Sequence, residues 1–254
     1  MKIVLIGSGN VATHLGRAFK KSGHEILQVF SNTSSNAKTL ATILKCDYTN
    51  KIEKINPKAD VYLIALTDDA VEGFLKKFNS NGKLIIHTSG SLPIDVLKKG
   101  SKEYGVLYPL QSFNKTMKLD LDNIPIFIEA NNNKSKKIIN SLAKDISKEV
   151  HEISSEQRLT LHAAAVFANN FTNHLYKIAG DILKTSGLEF DVLKPLINET
   201  TSKVMKNNPI DVQTGPASRH DDKTIKKHLE LLKNLPSYKS IYELLSESIE
   251  KQSK

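Results

Sequence analysis

The stretch Lys2-Ile-Val-Leu-Ile-Gly7-Ser-Gly9-Asn-Val-Ala12 limits the possible folds of this chain more than any other. Ile3 to Ile6 is a short apolar run that reads as a buried strand. Gly7 and Gly9 make a tight turn, and Val11, Ala12, Leu15, Gly16 and Phe19 follow at helical spacing. G-x-G-x-x-A between a strand and a helix is the pattern of a dinucleotide-binding turn. Gly7 permits the turn, Gly9 lets a backbone approach a pyrophosphate, and Ala12 lets the helix pack closely on the strand. The unpaired N–H groups and positive end of that helix favour phosphate charge. Gly7, Ser8, Gly9, Asn10 and Val11 are therefore candidate cofactor residues; the competing reading is a glycine-rich turn with no ligand.

Strand and helix patterns alternate for the next 140 residues. Strands are expected at 25–30, 46–48, 59–66, 83–87, 104–107, 124–129 and 149–153, with helices at 34–45, 68–78 and 134–147. This spacing predicts an α/β fold with a doubly wound parallel sheet, whose ligands gather at the carboxyl ends of the strands. From Ser154 only helical periodicity remains, at 156–186, 189–207, 221–233 and 237–250. Ser154 reads as a helix cap with Gln157 three residues on. The expected domains are thus a Rossmann-type domain over 1–153 and an all-α domain over 154–254.

The end of the second strand, Ser31-Asn32-Thr33-Ser34, is where such a fold meets the adenosine ribose. An NAD-type site places a carboxylate there for the 2′-hydroxyl. This chain has only hydroxyls and amides, which can donate to a 2′-phosphate, so the segment favours NADP(H) over NAD(H). The later strand ends add Leu66, Thr67 and Ser89 to the cofactor candidates, and His87 as a candidate acid/base.

On the first helix after the strands, His162, Val166, Asn169/Asn170 and Asn173 share one face. His162 and Asn170 are candidate catalytic residues, and Asn169 and Gln111 candidate substrate contacts. A domain-packing helix with satisfied polar residues is the bland alternative. Arg219, one of three arginines, stands between Thr214-Gly-Pro and a helix start at Asp221. It can clamp an anion or pair with Asp221 or Asp222.

Composition narrows the function. The net charge of +9 is spread over scattered lysines without the basic cluster and stacking aromatics of a nucleic-acid binder. It suits attraction for a small anionic ligand. No run approaches the length of a membrane span. The immediate entry into a strand leaves no room for a signal peptide, and a single cysteine, Cys46, suits a reducing compartment. A cytoplasmic protein is expected. The eight histidines and one cysteine form no metal-ligand spacing, and Ser89 is not in a nucleophile elbow.

Gly7-Ser-Gly-Asn-Val-Ala12, Ile64-Ala-Leu-Thr-Asp-Asp69, His87-Thr-Ser-Gly-Ser91, Tyr108-Pro-Leu-Gln111 and Thr214-Gly-Pro-Ala-Ser-Arg219-His-Asp221 together resemble one family over nearly the whole chain. It joins a Rossmann-like domain to domain of unknown function 2520. The family is similar to pyrroline-5-carboxylate reductase, ketopantoate reductase and 3-hydroxyacid dehydrogenases. The resemblance implies an NADP-binding N-terminal domain, a helical C-terminal domain, a homodimer formed through the helices, and NADP oxidoreductase activity, sometimes of the deazaflavin-dependent type. Two positions depart from these patterns. Asn32 stands where the family usually has an arginine, and no lysine precedes Lys177 where the 3-hydroxyacid dehydrogenases use one. The expectation is an NADP(H)-dependent oxidoreductase acting on a small anionic carbonyl or imine compound; the alternative is an NADP(H)-binding sensor or scaffold without turnover.

Overall fold

The computed structural model describes residues 1–252. By compactness the chain divides into two units, Met1–Asn170 and Phe171 onward.

The first unit is built on an eight-stranded sheet. Its elements run β1 (Lys2–Ile6), α1 (Asn10–Lys21), β2 (Glu25–Phe30), α2 (Ser34–Leu44), β3 (Asp47–Thr49), β4 (Val61–Ile64), α3 (Asp68–Leu75), β5 (Leu84–His87), β6 (Tyr104–Pro109), β7 (Ile126–Ala130), α4 (Asn133–Lys144), β8 (Val150–Glu152) and α5 (Ser155–Ala165). The strand order is β3-β2-β1-β4-β5-β6-β7-β8. Parallel pairing places Ile3 opposite both Ile26 and Val61. The chain therefore leaves β1 in opposite directions across the sheet, and the first turn lies at the switch point where open α/β sheets bind ligands.

Alternation along β1 shows why these strands carry continuous apolar runs. Ile3 and Leu5 join a core with Leu15 and Phe19 of α1, Leu40 and Leu44 of α2, and Ile139 and Leu142 of α4. Val4 and Ile6 face the opposite layer, with Val71, Phe74 and Leu75 of α3. Successive side chains point to opposite faces, and both faces are covered, so every position after Lys2 is buried.

One pairing departs from the expected all-parallel sheet. β7 runs antiparallel to β6, with Leu107 opposite Ile128, whereas β7 and β8 are parallel. The β6–β7 connection, residues 110–125, contains no crossover helix to return the chain to the starting edge, so β7 comes back along β6.

The expected change of texture near 153 coincides with the end of the last strand at Glu152. Ser154 begins α5 with a reciprocal capping box: its hydroxyl accepts from the Gln157 amide at 3.2 Å, and Gln157 Oε1 accepts from the Ser154 amide at 2.8 Å. The compact unit nevertheless continues to Asn170, because buried Arg158 on α5 binds Glu129 of β7 and the segment after β5.

The second unit is helical: α6 (Thr172–Lys184), α7 (Lys194–Val204), α8 (Asp222–Leu231) and α9 (Pro236–Glu250). The helix expected over 156–186 is interrupted by a π-helical stretch, Val166–Phe171. α7 and α9 start with a proline in the first turn, where its missing N–H costs nothing. Asp221 caps α8, accepting from the Thr224 amide at 3.1 Å. No helix among the described residues is long and apolar enough to cross a membrane.

Candidate functional site

The carboxyl ends of β1, β4, β5 and β6 surround a cavity of about 380 Å³, within the range of small-molecule sites, ~300–1,000 Å³. Gly9, Asn10 and Val11 form one wall, Leu66, Thr67 and Asp68 a second, and Thr88 to Ser91 a third. Tyr108, Gln111, Phe113 and His162 complete it.

The glycine turn is built as its sequence demands. Gly7 has φ +121°, and a Cβ there would lie 2.2 Å from the Ala65 carbonyl oxygen. No L side chain fits that conformation and that gap. A Cβ on Gly9 would meet nothing within 4 Å, so the space before α1 is open. The helix has no side-chain cap and no acidic residue in its first turn. Its leading N–H groups therefore face the opening uncompensated, a suitable seat for a pyrophosphate.

At the end of β2, Ser31 is half-buried while Asn32, Thr33 and Ser34 are exposed. Thr33 occupies the cap position of α2, yet its hydroxyl makes no capping bond. These polar groups stand at the carboxyl end of β2, outside the lining of the cavity.

The far side of the cavity holds a pair of ionisable groups. Tyr108, at the end of β6, is 8 % exposed; its phenol lies 3.1 Å from Nδ1 of His162 on α5. The rings meet edge to face, 6.0 Å between centroids. Burial raises the Tyr108 pKa, an effect opposed by the Arg158 charge, so the phenol keeps its proton at neutral pH. The phenol can donate to a neutral Nδ1, or accept from a protonated one. The pair can thus relay a proton in either direction.

Gly90 makes this contact possible. A Cβ at Gly90 would stand 2.6 Å from His162 Nδ1 and 3.0 Å from Tyr108 Cζ. Beneath this loop lies Arg158, 1 % exposed. It donates to the carbonyl oxygens of Ser89 at 3.3 Å and Leu92 at 2.9 Å, and to Glu129 at 3.0 Å. Arg158 and His162 are four residues apart, on one face of α5. The helix therefore grips the loop with one residue and touches it with the other. Gly90 stands out in the sequence only as part of the His87–Ser91 segment, and Arg158 carries no role there; the available signal is the placement of an arginine one turn before the candidate histidine.

The other candidates are distributed differently. His87 does not line the cavity: it is 1 % exposed, and its Nδ1 accepts from the Ser89 amide at 3.1 Å. Burial, reinforced by the Arg158 charge, pushes its pKa down to about 3. The ring is neutral and supports the loop. Gly7 and Ser8 shape the turn from behind the lining, Gln111 reaches the cavity, and Asn169 and Asn170 are exposed and outside it. Arg219 belongs to the second unit, where it is exposed and forms no ion pair within 4 Å among the described residues. In the same unit Lys177 is bound to Asp181 at 2.5 Å and to the Tyr238 hydroxyl at 2.8 Å.

Comparison with known proteins gives the family of the chain. Residues 2–90 match the family described as NADP oxidoreductase, coenzyme F420-dependent, and residues 124–249 match the domain of unknown function DUF2520. A "putative NADP oxidoreductase" of Bacteroides fragilis has 41 % sequence identity, with 98 % of each chain covered and a TM-score of 0.91. The chain belongs to this NADP oxidoreductase family with a DUF2520 C-terminal half. Protein TM1727 of Thermotoga maritima is 23 % identical over 98 % of this chain and 99 % of that one, TM-score 0.78. An imine reductase of Myxococcus stipitatus, solved with NADP+, is 13 % identical over 99 % and 93 % of the two chains, TM-score 0.69. At that identity the likeness is one of fold. No curated protein matches the chain by sequence.

Proposed function

We propose that this member of the NADP oxidoreductase family binds NADP(H) along the carboxyl edge of its sheet and reduces a small carbonyl or imine compound, or oxidises the corresponding alcohol or amine. The observation that carries the reading is the cavity itself, which joins an open glycine turn to a buried tyrosine–histidine pair. The pyrophosphate is assigned to the turn at Gly7, Ser8 and Gly9 and to the first residues of α1, Asn10 and Val11. The ribose phosphate is assigned to Ser31, Asn32, Thr33 and Ser34. Their uncharged donors suit a 2′-phosphate better than the ribose hydroxyl of NAD(H), which would draw a carboxylate. The nicotinamide half is assigned to Leu66, Thr67 and Ser89.

When bound, the nucleotide supplies or receives hydride. The chain's own residues supply what that chemistry needs besides. Tyr108 and His162 give or take the proton at the heteroatom of the reacting bond, and the apolar wall of Val11, Leu66 and Phe113 excludes water. Gln111 orients the reacting compound. The proton-handling role falls to His162 rather than to His87, whose ring is sealed in the core.

Calorimetric titration with NADPH and NADH tests the first half. NADPH binding at least about tenfold tighter, a difference of about 1.4 kcal/mol, is expected; equal or absent binding would reject the cofactor assignment. A panel of carbonyl and imine compounds, followed by NADPH oxidation, tests the second half. Tight binding without turnover would leave a sensor. We also propose a homodimer through the helical unit. Leu196, Met205 and Leu244 there are 63 %, 79 % and 67 % exposed, apolar area that a partner helix would remove from water. Sedimentation velocity at micromolar concentration should give twice the 28.2 kDa chain mass.

A further inference from the structure

The charge lining the cavity points to the kind of compound it takes. Among the described residues no lysine or arginine lines it, and its one carboxylate is Asp68. Asp68 and Asp69 both lie in the first turn of α3, where the helix dipole favours acidic residues. That preference accounts for Asp69, which is exposed and outside the lining. It leaves unexplained why the half-buried Asp68 forms part of the cavity wall.

Asp68 is oriented there. Its Oδ2 accepts the Ser91 hydroxyl, and Ser91 lies 3.3 Å from the Ser89 hydroxyl, which itself accepts from the amides of Ser91 at 3.1 Å and Leu92 at 3.0 Å. This chain of bonds fixes the carboxylate on the wall, and no protein group bonds its Oδ1 among the described residues. The nearby cation cannot neutralise it by contact. Arg158 is buried beneath the loop, and its two terminal guanidinium nitrogens bind Glu129, the Ser155 hydroxyl and two carbonyl oxygens, none of them on Asp68.

We infer that the cavity selects a compound with a cationic nitrogen, an iminium or the ammonium form of the corresponding amine, with Asp68 as its counter-charge; the ammonium gives its proton to the Tyr108–His162 pair before hydride leaves the adjacent carbon. This rests on the oxidoreductase reading above and narrows it. It also replaces the anionic compound expected from the lysine-rich composition. An anion in this cavity would face a fixed carboxylate with no lysine or arginine in the lining to offset it, Arg158 lying beneath the loop and paired with Glu129, and like charges in a partly desolvated site repel strongly.

The test is a calorimetric titration of the full chain, saturated with NADP+, with three six-membered-ring probes: cyclohexylamine (protonated at neutral pH), cyclohexanol and cyclohexanecarboxylate. The amine should bind at least tenfold more tightly than the carboxylate. Asp68→Asn should erase that difference, and Asp69→Asn, which removes a similar helix-start charge outside the cavity, should leave it intact. Equal or tighter carboxylate binding, an amine preference that survives Asp68→Asn, or no binding of any probe would overturn the inference. If Asp68→Asn does not fold, the amine preference of the unmutated chain should still weaken at least threefold between 20 and 300 mM salt; a salt-independent preference would overturn the inference. Failure of NADP+ to bind, with the Asp68-dependent amine preference retained, would reject the nucleotide reading and keep the cation site.

Discussion

Replacing Gly90 by alanine tests whether the loop after β5 sets the Tyr108–His162 pair. The backbone at Gly90 carries no positive φ, so the effect is steric alone. The new methyl carbon would stand 2.6 Å from His162 Nδ1 and 2.7 Å from its Cγ, against an ordinary contact of about 3.5 Å. His162 must therefore retreat by about 0.9 Å, or the loop must lift. The retreat lengthens a 3.1 Å hydrogen bond beyond bonding range. Tyr108 cannot follow, because its ring is 8 % exposed and the same methyl sits 3.0 Å from its Cζ. Overpacking of this kind costs about 1–3 kcal/mol and the lost bond about 1 kcal/mol. Because His162 is half-buried and can relax outward, a total near 2 kcal/mol is expected. That corresponds to a Tm about 4–8 °C lower. Scanning calorimetry checks the stability, and NADPH oxidation with any compound the panel identifies checks the chemistry, with an expected loss of at least about tenfold in kcat/KM. NADPH affinity should change little. A Gly90→Ala protein melting within 1 °C of the unmutated chain with unchanged turnover would refute the argument.

Three further outcomes follow from the same region. Arg158→Met should destabilise the first unit by about 3–5 kcal/mol, since it leaves Glu129 facing the Ser155 amide and hydroxyl without its cation. In urea titrations Arg158→Met combined with Glu129→Leu should cost less than the two changes added, and strict additivity would contradict a coupled pair. His87 links stability to pH. Above about 6.5, its ordinary value, both folded and unfolded chains hold it neutral and its contribution is complete. As the pH falls from there toward about 3, the unfolded chain takes up a proton that the folded one refuses. Stability is then lost by up to about 5 kcal/mol. The difference in unfolding free energy between the unmutated chain and His87→Gln should therefore shrink with acidification; a difference constant from pH 7 to pH 4 would contradict the neutral, buried ring. Tyr108→Phe, which removes the phenol and keeps the ring, should lower kcat at least about tenfold while shifting NADPH affinity less than about twofold, and unchanged kcat would remove Tyr108 from proton handling.

Much of the α/β unit could be read directly. β1, β4 and β5 are dominated by continuous apolar runs, the pattern that burial on both sheet faces produces. The Ser154–Gln157 box was equally legible, because capping is a local bond between near neighbours in the chain. The direction of β7 was not, since a buried strand leaves the same pattern whichever way it runs. Residue placement followed the same division. Gly9, Asn10, Val11, Leu66, Thr67 and Ser89 lie around one cavity because strand ends converge by topology. His87 shares a strand end with them, yet it is enclosed with the rest of β5, where all four residues are buried. Tyr108, Arg158 and Gly90 act through contacts 18 to 72 positions apart in sequence, and no local pattern records such pairings.

The connection from β6 to β7 has a consequence for how members of this family can diverge. It contributes Gln111 and Phe113 to the cavity, yet most of residues 111–120 are exposed and free of core packing. Changes in its length or composition can reshape the pocket without disturbing a single strand pairing, the circumstance in which loops accumulate new specificities. The segment is also fastened to α1, where the Lys115 amide donates to Asn10 Oδ1 at 3.2 Å and His14 Nε2 to the Asn114 carbonyl at 2.9 Å. Selection on the pocket is thereby tethered to the helix that starts at the glycine turn. A substitution at Gln111 or Phe113 alters the pocket and leaves the fastening at Asn10 and His14 in place, whereas one that displaces residues 114–115 reaches the helix that starts at the glycine turn.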